Sequence, residues 1–384
     1  MTRQAFTNGR VLSASGFVEG SSVLVEGGRI SRLVPADDPA CRNATQVDLR
    51  DGLLLPGFID TQVNGGGGVL FNSEPTLEAI REIGRAHRRF GTTGFLPTLI
   101  SDDLHVLARA VDAVQAALDA GVPGVIGIHI EGPFINVERK GVHDPAKFRQ
   151  LDETAFRLLT SLRGGRTMVT LAPEMTTPQV IRDLTAAGVI VCAGHTNASY
   201  AVIRTALDHG LRGFTHLFNA MSQLTAREPG VVGAALTDPA SWCGIIVDGR
   251  HVDPVVLRLA MRCKPLERFM LVTDAMANVG TDDTSFELQG RSIRVDQNAY
   301  VDEFGTLAGS HMDMATSVRN TIEMLGVALP DAVRMASASP AEFLGLSDQL
   351  GCIAAGQRAN FVLADHALTV RETWIDGRSA ELTP

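Results

Sequence analysis

Three apolar stretches of this chain end in a residue that binds metal ions. Gly127-Ile128-His129-Ile130-Glu131 ends in a carboxylate and is broken at once by Gly132-Pro133. Val189-Ile190-Val191-Cys192-Ala193-Gly194-His195 and Gly213-Phe214-Thr215-His216 end in imidazoles. A lone His or Glu at a strand end is usually just hydrogen-bonded. One Glu and two His at three strand ends form the ligand set of a catalytic zinc that keeps a fourth position open. We therefore expect one divalent ion per chain, zinc first, with iron, cobalt or manganese compatible with the same donors. His129 lies two residues before Glu131 and shares its side of the strand. It is a candidate extra ligand, with support of the other three as the favoured role.

Asp274, in Leu271-Val272-Thr273-Asp274-Ala275-Met276, also follows an apolar run. Its ordinary role would be a turn or helix cap. Beside a metal it can instead shuttle the proton of a water whose pKa the ion lowers from 15.7 to about 7. Gln62 and Asn64 alternate onto one face of an earlier run, ahead of Gly65-Gly66-Gly67-Gly68. Two His there would hold a second ion; neutral amides are poorer ligands and favour one. Phe218-Asn219-Ala220-Met221 follows a ligand run, and its backbone N–H groups can face a ligand. Arg227 and His251 are the basic candidates for an anion. Charge-assisted hydrogen bonds contribute about 1.5–3 kcal/mol each, so two or three would select a phosphorylated substrate. His143, in a Gly-containing loop, is either a carbonyl-polarising group or a solvated loop residue.

These residues need a scaffold, and the chain has the size for one. It has 384 residues, 45% hydrophobic and 20% charged, an ordinary globular composition. The net charge of −9 argues against general binding to nucleic acid or anionic membranes. Five cysteines without paired spacing suit a reducing compartment. No apolar run approaches the roughly 18 residues that span a bilayer, and the start lacks a signal-peptide core. A cytoplasmic protein is the expectation.

From Leu53 onward, apolar runs alternate with stretches of helical spacing. The expected strands are 53–62, 93–100, 124–131, 167–173, 189–195, 213–218, 243–248 and 268–274. Helical spacing recurs at 77–90, 104–120 and 201–209. Eight such units over roughly 290 residues fit a (β/α)8 barrel, though an open doubly wound sheet has the same local pattern. No Gly-x-Gly-x-x-Gly follows the first strand, which lowers the dinucleotide-binding version. Residues 280–308 read as a β-rich excursion before two final helices, 313–326 and 330–344. Both ends are β-rich: a hairpin at Val23 to Val34, then short runs at 361–364, 368–370 and 372–375. The expected organisation is an α/β chain. Residues 1–52 and 349–384 form one small β-sandwich, and 53–348 the barrel. In a barrel the candidate residues fall at C-terminal strand ends, the catalytic face.

Seven stretches, in order, resemble the N-acetylglucosamine-6-phosphate deacetylases of the amidohydrolase superfamily. They are Pro56-Gly-Phe-Ile-Asp60, His129-Ile-Glu-Gly-Pro133, Gly194-His-Thr-Asn-Ala198, Thr215-His-Leu-Phe-Asn-Ala-Met221, Arg227-Glu-Pro-Gly230, Val272-Thr-Asp-Ala275 and Leu307-Ala-Gly-Ser310. The resemblance implies a TIM-type barrel that removes acetate from an amino-sugar 6-phosphate. It assigns the metal to Glu131, His195 and His216, the general base and acid to Asp274, and carbonyl polarisation to His143. Substrate contacts fall on Gln62, Asn64, His143, Asn219, Ala220, Arg227, His251 and Leu307, with Arg227 supplied across a homodimer interface. The superfamily's first-strand His-x-His is replaced by Gln62-x-Asn64, consistent with a single ion. Phe134 stands where an entrance aromatic is expected. Rival readings are a deacetylase of N-acetylgalactosamine 6-phosphate, another cyclic-amide hydrolase, or an inactive barrel serving as a scaffold.

Overall fold

The computed structural model describes residues 3–296 and 299–379. At its centre lies a parallel sheet of eight strands, each paired with its neighbour in chain order. The strands are Phe58–Val63, Thr92–Ile100, Gly127–Glu131, Arg166–Leu171, Ile190–Ala193, Gly213–Phe214, Trp242–Ile245 and Phe269–Leu271. A parallel bridge from Val63 to Ala275 brings the end of the eighth strand back to the first. The sheet is thus rolled into a nearly closed barrel, as the strand–helix alternation implied, and the open-sheet alternative falls away.

Helices cover the outside. Leu77–Arg88, Leu104–Asp119 and Tyr200–Asp208 lie where the helical spacing put them. Thr76 and Ser199 cap the first and last of these by accepting backbone N–H groups. Ile80, Ile83, Leu107 and Val114 bury the inner faces of two of them against the barrel.

Inside the barrel the side chains sort into two layers. Ile59, Leu96, Met168, Ile190, Trp242 and Met270 form an apolar layer at the N-terminal end. Ala341, Phe343 and Leu344 close it from below. Above it lie Thr98, His129, Thr170 and Thr215, all buried and joined by hydrogen bonds. The third and fourth strands show the switch. His129 stands opposite Met168, and Glu131 opposite Thr170. The polar layer therefore sits directly beneath the mouth.

The chain ends share another eight-stranded sheet. Thr45–Pro56 pairs with Arg3–Ser13 on one side and with Phe361–Ala364 on the other. Thr45–Pro56 belongs wholly to that sheet, so the first barrel strand begins at Phe58 rather than at residue 53. The runs at 368–370 and 372–375 are one strand, Val370–Ile375. The excursion at 280–308 is a four-stranded antiparallel sheet, Ser285–Leu288, Arg291–Asp296, Ala299–Val301 and Leu307–Ser310. It rests on Ile100, Val142 and Met276 beside the mouth. The helix expected at 330–344 is two, Leu329–Ala336 and Ala338–Phe343, because Ser337 leaves the helical region at φ −136°, ψ −73°. Phe134 is not at an entrance: it is 1% exposed and sits in the main core.

Phe343→Ala removes the largest side chain of the lower plug. It should lower stability by about 3–5 kcal/mol, the usual cost of a buried Phe cavity. The unfolding midpoint in urea reads this directly. A midpoint unchanged from wild type would show that the plug adds nothing to barrel closure.

Candidate metal-dependent active site

The third, fifth and sixth strands deliver Glu131, His195 and His216 to one point. Glu131 Oε1 lies 3.0 Å from His216 Nε2 and 3.3 Å from His195 Nε2. The two Nε2 atoms are 3.1 Å apart. A tetrahedral ion with bonds of about 2.0–2.1 Å spaces its ligand atoms about 3.3 Å from one another. The triangle has those dimensions. Among the described residues it is the one group of three or more His, Cys, Asp or Glu at ligand distances.

The surroundings prepare these atoms for a cation. His195 Nδ1 donates to the Arg139 carbonyl at 2.8 Å, which leaves Nε2 as the bare donor atom. Burial alone would raise the Glu131 carboxyl, but the two imidazoles, when they carry the positive charge that a bound ion would otherwise supply, hold it well below the usual range. His195, His216 and Asp274 have φ of 49°, 32° and 52°. That left-handed region is uncommon for residues other than glycine, and each instance costs about 1–3 kcal/mol unless its surroundings impose it. Three such residues at one site mark a backbone bent to aim side chains.

His129 is not a ligand in this geometry. Its Nδ1 meets Thr98 Oγ1 at 3.2 Å and its Nε2 meets Thr170 Oγ1 at 2.8 Å, so both nitrogens are engaged. Burial lowers its pKa to about 4, so it is a neutral member of the polar layer.

Gln62 and Asn64 share one face, as their alternation implied. Asn64 Nδ2 donates to Asp274 Oδ1 at 2.7 Å. Gln62 Nε2 lies 3.1 Å from the same oxygen and 3.2 and 3.3 Å from the Glu131 oxygens. The amides thus hold the two carboxylates that a second ion would otherwise bridge. Burial, then the Glu131 charge, raises the Asp274 carboxyl above its ordinary pKa.

The triangle faces a pocket of about 320 Å³ lined also by Asn64, His143, Asn219, Ala220, His251, Asp274 and Leu307. That volume suits a small ligand. Larger clefts of about 700 and 1030 Å³ open at the N-terminal end of the barrel, and no ligand residue lines them. The His143 ring is 4.3 Å from the His195 ring. Burial pushes its pKa well below the ordinary value. His251 donates through Nδ1 to Asp248 Oδ2 at 2.6 Å. Of the backbone amides at 218–221, that of Asn219 is spent on the His216 carbonyl. Those of Phe218 and Ala220 have no acceptor among the described residues. Arg227 is exposed in the loop beyond and does not line this pocket.

One positioning residue escaped the sequence reading. Glu174 follows the fourth strand. It accepts from Thr196 Oγ1 at 2.6 Å, Asn197 N at 2.7 Å and Asn136 Nδ2 at 2.9 Å. The backbone N–H of Asn136 in turn donates to the His195 carbonyl. Glu174 therefore braces the loops on both sides of His195. Its signal was present, since Ala172-Pro173-Glu174 repeats the pattern of a carboxylate after an apolar run.

Comparison with known proteins matches residues 53–380 to the amidohydrolase family. An N-acetylgalactosamine-6-phosphate deacetylase from Shewanella sp. (strain ANA-3) is 47% identical over 86% of this chain and 83% of its own. The crystal structure of N-acetylglucosamine-6-phosphate deacetylase from Pasteurella multocida superposes with a TM-score of 0.95 at 35% identity, covering 98% of this chain and 99% of that one. The mutant Mycobacterium smegmatis deacetylase in complex with N-acetyl-D-glucosamine-6-phosphate gives 0.90 at 32% identity, with 99% of each chain covered.

A cation held by the triangle stabilises the fold by mass action, about 1.4 kcal/mol for each tenfold excess over its dissociation constant. Chelation should therefore lower the melting temperature, and added zinc should restore it. In Glu131→Ala the melting temperature should no longer respond to either. An equal response in that variant would place the ion elsewhere.

Proposed function

This chain belongs to the amidohydrolase family, and we propose that it hydrolyses the acetamide of N-acetylglucosamine 6-phosphate to acetate and glucosamine 6-phosphate. The observation that carries this reading is the Glu131–His195–His216 triangle set beside Asp274 in a pocket of monosaccharide size. One divalent ion per subunit, zinc by preference, is the cofactor of this reading, and the donor set fits it.

Bound there, the ion supplies Lewis acidity, which polarises the acetyl carbonyl and lowers the pKa of a water. Asp274 takes the proton of the attacking water. As the carbon–nitrogen bond breaks, the same carboxyl returns that proton to the departing nitrogen. One carboxyl placed beside both the water and the nitrogen serves both transfers. Gln62 and Asn64 hold the carboxylate in line. His143 donates to the oxygen on which negative charge develops. His251, the free amides of Phe218 and Ala220, Leu307, and Arg227 from a partner subunit complete the contacts with the sugar phosphate.

The homodimer and the cytoplasmic location belong to this reading as well. Free cysteines, three of them buried, are compatible with a reducing compartment. Among the described residues no helix is long and apolar enough to cross a membrane. The −9 net charge supports a small-molecule substrate rather than nucleic acid. One rival is favoured by a specific observation: the 47% identical relative acts on the galacto epimer.

Asp274→Asn should lower turnover by several orders of magnitude while metal content is retained. Near-normal acetate release would remove Asp274 from the chemistry. Side-by-side kcat/KM on the two epimeric sugar phosphates decides between the gluco and galacto substrates.

Arg227 generates a separate outcome. Asp274→Asn and Arg227→Ala subunits, each impaired alone, should regain activity when mixed and exchanged. In a random mixture about a quarter of the sites would pair an intact Asp274 with a partner's intact Arg227. No recovery on subunit exchange would mean that Arg227 does not act across an interface.

A further inference from the structure

We propose that Ser101 is a positioning residue for His143, fixing the tautomer in which Nδ1 is a bare acceptor and Nε2 carries the hydrogen. The catalytic consequence rests on the amide-hydrolysis reading above; the tautomer does not.

Ser101 directly follows the second barrel strand and is fully buried. Its Oγ lies 2.7 Å and its backbone N 3.3 Å from His143 Nδ1. A backbone N–H can only donate. The Ser101 hydroxyl has no other partner among the described residues. If Nδ1 carried the hydrogen, the backbone N–H would point at another N–H. The hydroxyl would then accept from Nδ1, and its own hydrogen would have no acceptor. Two buried donors would go unmet. With Nδ1 bare, the hydroxyl donates to its lone pair at 2.7 Å and the backbone N–H shares that acceptor at 3.3 Å, so neither donor faces another hydrogen. A neutral imidazole has a single hydrogen, which then sits on Nε2.

The pair is held from several sides. The Ser101 carbonyl accepts from Gln289 Nε2 at 2.9 Å. Two residues on, Arg291 donates to the Val142 carbonyl, next to His143. One edge of the four-stranded excursion thus grips the backbone beside both partners. Gly132 gives the room: a Cβ there would lie 2.3 Å from Ser101 Oγ.

The choice of tautomer matters at the other nitrogen. His143 lines the pocket with Glu131, His195, His216 and Asp274. With its hydrogen on Nε2, it presents a donor to an oxygen gaining negative charge. With its hydrogen on Nδ1, it would present a lone pair to that oxygen and repel it. This is why a serine thirty positions from Glu131, the nearest metal-binding candidate in sequence, bears on turnover.

The test is nitrogen-15 NMR of the zinc-loaded, histidine-labelled protein, with His143→Gln used to identify the signals. We expect His143 to show an unprotonated Nδ1 and a protonated Nε2. Ser101→Ala should shift that signature toward a tautomer mixture. It should lower kcat about 10- to 100-fold, less than or comparable to loss of a whole oxyanion donor, with KM within about twofold and zinc content intact. A hydrogen on Nδ1 in the wild type overturns the proposal, even if Ser101→Ala fails to fold. So does a Ser101→Ala kcat within about twofold of wild type. A protein that releases no acetate from either sugar phosphate would sink the amide-hydrolysis reading instead, leaving the NMR result to decide the tautomer alone.

Discussion

Three electron-rich atoms pointed at one another in a buried space are tolerable only around a positive charge. That constraint governs the mouth of this barrel. Glu131 Oε1 and the two Nε2 atoms lie 3.0–3.3 Å apart with little water to screen them. A cation turns the repulsion among the donors into attraction. The same need accounts for the carbonyl of Arg139 behind His195, and for the strained backbone at His195 and His216. Glu174 secures the loops that keep that strain from relaxing.

A second carboxylate beside the first sets the next problem. Asp274 and Glu131 would repel each other across the same small space. Gln62 and Asn64 answer this with N–H donors, which stabilise both carboxylates without adding charge. Imidazoles at those two positions would have offered lone pairs and invited another ion. The two amides thus offer no imidazole to a further ion and hold the Asp274 carboxylate beside the triangle.

The barrel strands and the four central residues were legible because both follow short-range rules. Apolar runs, helical spacing and a polar residue at the strand end are all local patterns. What was not legible depends on distant partners. The first strand begins at Phe58 because Thr45–Pro56 finds its partners in Phe361–Ala364, some three hundred positions away. An apolar run looks the same in either sheet. The break at Ser337 has its signal in Pro340, which has no N–H for the Ala336 carbonyl and crowds it, but the apolar spacing runs through that point unbroken. The family resemblance associated Phe134 with the entrance, yet the core claims it. Arg227 stays outside the pocket of its own chain. Ser101 and Glu174 act through hydrogen bonds to residues that only folding brings near.

The four-stranded excursion looks, in sequence, like an ornament on the barrel. Its contacts argue otherwise. Leu288, Ile293, Tyr300 and Ala308 share a small core with Ile100, Val142 and Met276, so it is fastened to the mouth by apolar burial. Asp302 accepts from Phe304 N and Thr306 N and shapes the turn that leads into Thr306–Gly309, one wall of the pocket. At the end of that wall, Gly309 is required: a Cβ would lie 2.7 Å from the Met276 side chain, at a φ of 79°. On the opposite edge, Gln289 and Arg291 reach the backbone around His143. The same small sheet therefore forms one wall of the pocket and steadies the backbone around His143. The pocket wall and the Glu131–His195–His216 triangle thus rest on separate supports, the wall on apolar burial beside the mouth and the triangle on the barrel strands.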